Sequence, residues 1–583
     1  MWLSLASGLI LLYSFDYFRR LYKNIRIAQR SKLPYFVVPF TFGIIPTILL
    51  QTGWVLYIID NWLPEWLGNN LKDVVPNCRW MLKDRQVKRY GKVYLVVTPK
   101  VVMCNVSDAE VVSHITNNRG SFLKPIWQYQ VIELYGPNVV TCEADQWARH
   151  RRQTANIFNE KNNELVWREG ISLVNGMIEH WRSLSQVDAT HGFVVRTIRD
   201  DMMKFALSLF SVAGFGVRMP FKPVNRGSAE LEGPYGAFQD TTTPPKGFDF
   251  TFRSVTAYMN VNISTVVFAN LILPKWVPRG LLPFLKWDFA AYRDLRTYLE
   301  RLLSIAEAQD TTTASNLIQG MLRDRSLSKE GSLSDLEIIS NAHIFTIAGH
   351  ETTASTLQYA LLSLALHPDV QEWVYEGIIE ATRGEPVNVA HWNYASVYPR
   401  LVTSLCVMLE TMRLYPPIVT VPKWTGNTAR TVRYQGRDLV LEPGVNISLN
   451  MNGLHYSEEY WGPDAGTFSP QRWDKNNKES FLARNDNLPG LNAAGLEYPT
   501  IHKPVRGAYV PFSDGIRACL GKKFAQVEVV IALTVILRRY RVELIRKDNE
   551  GRMFAEKALE GSYSVIALAM KEDVPLVFQE RCQ

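Results

Sequence analysis

The feature that most constrains this chain is a ten-residue stretch, Phe512-Ser513-Asp514-Gly515-Ile516-Arg517-Ala518-Cys519-Leu520-Gly521. It sets a cysteine where an irregular segment gives way to an apolar-periodic helix that runs to Arg538. A helix start favours the thiolate form, through the dipole and its unpaired N–H groups. Gly515 and Gly521 permit tight turns close to a flat ligand. Arg517 can pair with a carboxylate, and Phe512 can screen the sulfur from water. A lone cysteine in a glycine-containing loop is ordinarily structural, but five fixed positions within this stretch make that a poor explanation. The other cysteines, Cys78, Cys104, Cys142, Cys406 and Cys582, are scattered and form no CxxC pair. That excludes a disulfide scaffold and a structural zinc site. It also points to a reducing compartment, where the sequons at Asn105, Asn262 and Asn446 go unused.

The periodicities predict a mainly α chain with small β-sheets, an α+β fold. Val93–Val97 and Val101–Val106 read as a hairpin, followed by a helix capped by Ser107 with Glu110 at the reciprocal position. One helix is expected over Trp147–Val187 and another over Ile198–Phe215. A Gly/Pro/Thr-rich loop covers Gly227–Lys246. Phe250–Trp287 is strongly apolar and suits either core or membrane contact. A long helix spans Ser334–His367, capped by Ser334 or Asp335, and a further one Pro399–Leu414. Strands with turns fill Val419–Leu449, an irregular segment Tyr460–Pro511, and short strands the C-terminal part.

The N-terminus divides in two. Trp2–Leu12 is apolar and is followed by Arg19, Arg20, Lys23, Arg26, Arg30 and Lys32; Leu33–Ile59 then carries no charge. A spanning helix takes about 20 apolar residues. If both segments crossed, the basic stretch would lie in the lumen, against the positive-inside tendency. The favoured arrangement has the first segment crossing and the second, broken by Pro34, Pro39 and Pro46, lying in the interface. Residues 1–68 are thus read as a membrane anchor and interfacial segment, and 69–583 as the catalytic domain. The net charge of +8 comes without blocks of pure Lys/Arg, so nucleic-acid binding has little support. A membrane surface or an acidic protein partner fits better.

Other motifs gain meaning from their order. Ala348-Gly349-His350-Glu351-Thr352-Thr353 clusters poor helix formers inside the long helix, as if something approached the backbone there. Glu410-Thr411-Met412-Arg413 puts two charges on one helix face, just before Pro416-Pro417. Pro470-Gln471-Arg472-Trp473 follows, and Trp147-Ala148-Arg149-His150-Arg151 lies well upstream.

Together these resemble the cytochrome P-450 family in its microsomal, fungal-type form. The resemblance implies haem b with the Cys519 thiolate as axial ligand to the iron. Phe512, Gly515, Arg517 and Gly521 would shape its loop, and Trp147 and Arg151 would contact the haem propionates. Glu351 and Thr352 would be the acid–alcohol pair that delivers protons. Glu410, Arg413 and Arg472 would form a structural network under the haem. The usual P-E-R-F is Pro-Gln-Arg-Trp here, and a propionate arginine is replaced by Lys423, which lacks the bidentate fork. The basic side at Arg149, Arg151 and Arg152 would receive an acidic redox partner.

The implied activity is that of a monooxygenase, with electrons from NADPH reaching the haem through cytochrome P-450 reductase. The enzyme would sit on the endoplasmic reticulum membrane with its catalytic domain facing the cytosol. Substrate contacts are expected from Phe122, Ile126, Trp127, Tyr129, Ile344, Phe345, Ile418 and Val419, which suit a lipophilic small molecule of secondary or lipid metabolism. The rivals are a reductase-independent haem-thiolate isomerase or dehydratase, whose relatives typically lose the acid–alcohol pair, and a non-enzymatic haem-binding membrane protein.

Overall fold

The computed structural model describes residues 2–40, 53–184, 192–222, 232–309, 316–327, 331–475, 500–564 and 566–581. Pro46, residues 227–231 of the Gly/Pro/Thr-rich loop, residues 476–499 of the irregular segment and Cys582 lie outside the described residues. Helices carry most of the chain and small sheets flank them, as the α+β expectation required.

The central element is the helix Asp335–Leu366. Ser334 caps it: its hydroxyl accepts from the Glu337 N–H, and the Glu337 carboxylate accepts from the Ser334 N–H at 2.9 Å. The helix is buried on nearly every side, so it has no polar face. Ile198–Phe215, Val402–Leu414 and Lys522–Arg539 pack against it, and Glu160–Leu184 packs on the first and last of these. Gly349 makes one crossing possible, since a Cβ there would come 2.7 Å from Phe210 Cδ2. Glycine inside a helix costs about 1 kcal/mol, and here it admits the Phe210 ring. What approaches this backbone is therefore a neighbouring helix.

The main sheet has five strands. Tyr35–Val37 runs parallel to Val93–Val97, which pairs antiparallel with Val102–Val106; next come Asn446–Asn450, parallel, and Thr420–Trp424, antiparallel. Asn105 and Asn446 are buried in this sheet, so folded protein presents neither sequon.

Several boundaries differ from the sequence reading. Asp108, not Ser107, caps the helix Ala109–Asn117, accepting from the Val111 N–H at 3.2 Å. Ser107 lies just past the strand Val102–Val106, its N–H bonded to the Lys92 carbonyl at 2.7 Å. The helix expected over Trp147–Val187 is two, Ala144–Ala155 and Glu160–Leu184, and the second starts where the Asn159 side chain accepts from the Asn162 N–H. The C-terminal part holds a helix, Asn549–Glu560, capped by Asp548, beside its short strands. Phe252–Val267 continues as a single π-turn to Ile272. Among the described residues Phe252–Ile272 is the one helix long and apolar enough to cross a bilayer, and half of it is buried in the fold.

The N-terminal helix is continuous over Trp2–Ser31, so the apolar run and the basic stretch share it. Its last turns dock on the domain: Ala28 is fully buried, and Asn24 Nδ2 donates to the Thr98 carbonyl at 2.8 Å. Within the charge-free segment that follows, Tyr35–Val37 is a strand of the main sheet, with Phe36 and Val38 buried. That part of the segment is sheet, not interface.

Candidate active site

The cysteine loop folds on its own backbone. The Cys519 N–H donates to the Phe512 carbonyl at 2.9 Å, and the Ala518 N–H to the Gly515 carbonyl at 3.0 Å. Gly515 has φ 68°, and a Cβ there would meet the Thr116 carbonyl oxygen at 2.5 Å. Its glycine requirement comes from the turn and from contact with the Ala109–Asn117 helix. Gly521 has φ −83° and only Phe158 near it, at 3.7 Å, so no strained turn explains it. It caps the helix Lys522–Arg539, which starts three residues beyond Cys519 rather than at it. Phe512 is half-buried. Of the five described free cysteines four are buried, and Cys519 alone is open. Burial by the surrounding walls raises its thiol pKa, while the Gly521 N–H, Lys522 and Arg151 pull it down.

Beside this loop stands a group of cations around Trp147. The guanidinium carbons of Arg517, Arg119 and Arg151 lie 4.2, 4.5 and 5.8 Å from its ring centroid. Arg517 Nη2 donates to Glu143 Oε1 at 2.8 Å and to the Cys142 carbonyl at 2.9 Å, while its Nε and Nη1 are buried without a partner. Arg119 Nη1 is also buried and unpaired. Burial, then Arg517 and Lys423, push Lys124 down to about 7; burial, then Arg517, push Lys423 down to about 8. Burial brings Arg517 to about 10 against the pull of Glu143. Unpaired buried donors are costly, and clustered cations depress one another. A group bearing two carboxylates would satisfy both, so the residues fit haem. Lys423, doubtful from its sequence alone, belongs to this group. Arg119, Lys124 and Glu143 were missed, because no spacing ties them to the motif residues. Arg151 donates to the Ala518 carbonyl at 3.2 Å, so it braces the cysteine loop. Arg149 is not free for a partner: it pairs with Glu337 and donates to the Ser332 carbonyl at 2.8 Å.

On the long helix, Ala348, Gly349 and Thr352 form an open stripe in an otherwise buried stretch. The Thr352 hydroxyl donates to the Ala348 carbonyl at 2.8 Å, bonding back to the preceding turn. Glu351 is no solvated surface carboxylate. It is buried, its Oε2 has no partner, and burial lifts it to about 8 against Arg199 and the Ala567 N–H. It lines a cavity of about 240 Å³ with Arg199, Asn260, His350, Ser355 and Gln358.

The expected Glu–Arg–Arg network is present and fully buried. Arg413 grips Glu410 with two bonds of 2.8 Å, and Arg472 Nε adds one of 2.9 Å. The Ser469 N–H and the Trp473 indole N–H also donate to Glu410, at 3.0 and 2.9 Å. These cations hold the Glu410 carboxyl down at about 2 against its burial. Trp473 thus adds a donor in a motif where Gln471 brings no charge.

The expected substrate residues separate. Phe345 packs on Phe158 at 5.6 Å and Phe122 on His114 at 5.9 Å, both as buried wall. Ile344 and Val419 are buried too, whereas Ile126 and Trp127 remain exposed.

The family model for Cytochrome P450 matches residues 80–564. A cytochrome P450 monooxygenase of Arthrobotrys oligospora is 28% identical over 98% of this chain and 97% of its own length. Another, from Postia placenta, is 30% identical over 83% and 84%. A phomenoic acid biosynthesis cluster cytochrome P450 monooxygenase of Leptosphaeria maculans is 24% identical over 87% of each. The crystal structure of the cytochrome P450DA heme domain superposes with a TM-score of 0.61 at 20% identity, over 86% of this chain and 92% of that one, a likeness of fold. By these matches the chain belongs to the cytochrome P450 family of haem-thiolate monooxygenases.

Proposed function

We propose that Cys519 holds haem b here and that the enzyme inserts one oxygen atom from dioxygen into a lipophilic small molecule of fungal secondary metabolism. The observation that carries this is the one open cysteine among the described residues, beside a group of cations with buried, unpaired donors. Overall, RH + O2 + NADPH + H⁺ gives ROH + H2O + NADP⁺. The haem, when bound, supplies the reductive activation of dioxygen and the oxygen insertion.

The chain's residues do the rest. Arg119, Arg517, Lys124 and Lys423 would hold the haem carboxylates, and Trp147 stacks beneath the arginines. Arg151 steadies the Ala518–Cys519 peptide. Glu351 takes protons from the cavity behind the helix, which Arg199, His350 and Gln358 also line, and passes them toward the Thr352 hydroxyl. Its partnerless oxygen, held near neutrality, suits that exchange. Keeping this pair also favours a monooxygenase over the isomerase or dehydratase reading.

Electrons come from NADPH through cytochrome P450 reductase, which docks on the basic side near Arg151 and Arg152. The protein sits on the endoplasmic reticulum membrane with residues 69–583 in the cytosol, and its anchor and interfacial contacts come from the parts of 1–68 outside the docked turns at Asn24 and Ala28 and the strand Tyr35–Val37. Exposed Trp54, Tyr57, Trp62, Trp276, Leu281 and Phe284 support that setting, since aromatic residues favour the bilayer interface.

The deciding measurement is the ferrous–carbonyl difference spectrum. Wild type should show the red-shifted Soret band of a thiolate ligand and Cys519→Ala should lose it; an unaltered band in the variant sinks the assignment. Glu351→Gln should divert NADPH consumption to peroxide. Coupled turnover equal to wild type removes Glu351 from the proton path.

A further inference from the structure

Glu143 is the carboxylate that acts on Lys124, Lys423 and Arg517 alike. Its side chain is 16% exposed, and it immediately precedes the helix Ala144–Ala155. One oxygen, Oε1, accepts from Arg517 Nη2 at 2.8 Å and from the Lys124 backbone N–H at 3.2 Å. Lys124 opens the loop that carries the exposed Ile126 and Trp127. The residue before it, Leu123, exchanges two backbone hydrogen bonds of 2.9 and 2.8 Å with Trp424. Trp127 stands edge-on to Trp424 at 4.8 Å, and Trp424 adjoins Lys423. The loop is therefore fixed at its start to the strand Thr420–Trp424 on one side and to the cysteine-loop arginine on the other.

We infer that Glu143 is a positioning residue that sets the charge beside the haem carboxylates and ties that charge to the substrate-facing loop. The inference rests on the haem site proposed at Cys519. Two effects separate on one side chain. The negative charge offsets Arg517 and disfavours adding an electron to the haem. The two accepted hydrogen bonds hold the loop and the arginine at a fixed separation. Movement of the loop by a ligand changes how Oε1 is shared, and so how strongly Arg517 is offset.

The experiment uses full-length protein reconstituted in phosphatidylcholine vesicles. Glu143→Gln keeps an acceptor oxygen for both N–H groups and removes the charge. At a fixed applied potential its ferrous-to-ferric ratio should rise about tenfold, which is ~59 mV for one electron. Glu143→Ala removes the acceptor as well. It should share that shift and also bind the probe 4-phenylimidazole about fivefold more weakly by Soret titration, the loss of one charge-assisted hydrogen bond. Glu143→Asp should restore most of the wild-type ratio. A ratio equal to wild type in Glu143→Gln overturns the charge role even if the alanine variant does not fold. Unchanged probe affinity in folded Glu143→Ala overturns the tether. Absence of a thiolate Soret band in wild type would instead sink the underlying haem reading.

Discussion

Two buried arginine clusters in this molecule use the same chemistry to opposite ends. Arg413 makes five hydrogen bonds, two to Glu410 and three to the carbonyls of His455, Ala465 and Thr467. Arg472 is likewise engaged by Glu410, Trp461 and Asp464. Arg517 is also sequestered, yet its Nε and Nη1 have no partner. The first cluster is closed: its charges are matched by groups the chain itself supplies. The second is short of anions, with Glu143 set against Arg119, Lys124, Lys423 and Arg517. A chain bears that imbalance where a ligand supplies the missing charge, since an unpaired buried cation is strongly destabilising. Here the fully bonded Arg413 and Arg472 belong to structure, and Arg517, with unpaired donors beside the open cysteine, belongs to the site.

The comparison can be broken most decisively at Glu410. Glu410→Ala leaves two buried guanidinium groups without their carboxylate and should cost about 3–5 kcal/mol. Urea unfolding of the detergent-solubilised protein should show this, or the variant should fail to accumulate folded. Arg517→Met tests the open cluster. It should leave the haem-free protein as stable as wild type or more so, while speeding haem transfer to apomyoglobin about tenfold or more.

Acidity separates the clusters further. The folded pKa of Glu410 lies below its unfolded value, so its contribution is present above about 4.5 and is lost as pH falls toward about 2. Lys124 and Lys423 have folded values of about 7 and 8, below the ordinary 10.5. Between those limits the unfolded chain binds more protons, so haem-free protein should gain stability as pH rises from about 7 to 10. Differential scanning fluorimetry across that range should show the rise, and Lys124→Met should flatten it. The smallest expected effect concerns Ala144, next to Glu143, which sits at φ 48°. Left-handed backbone costs a non-glycine residue roughly 1–2 kcal/mol. Ala144→Gly should recover about 1 kcal/mol, less the added freedom of the unfolded chain, seen as a small rise in Tm.

What could be read from the residues follows a physical division. Cys519, Gly515 and Arg517 share one short loop, and Glu410 and Arg413 one helix turn, so spacing reports them. Arg119, Lys124 and Glu143 converge with Arg517 only in the fold, and no local pattern marks a buried donor as unpaired. Gly349 was legible as a special position but not for its reason, because a glycine admitting a phenyl ring looks the same in sequence as one admitting a ligand. The helix Asn549–Glu560 was within reach, since Asp548 before a run of helix formers is a capping signal.

The N-terminal helix has a mechanical consequence. Because Trp2–Ser31 is unbroken and its last turns are locked to the hairpin through Asn24 and Ala28, its first half behaves as a lever rather than a leash. A bilayer gripping Leu11 to Phe18 would set the tilt of the whole catalytic domain, and with it the direction that the exposed Ile126 and Trp127 face. Truncations ending before Asn24 should remove the lever and weaken the hold on the membrane, leaving the contacts around Trp54–Trp62 and Trp276–Phe284 and keeping the dock. Truncations past Ser31 also threaten Tyr35–Val37, the outer strand of the main sheet.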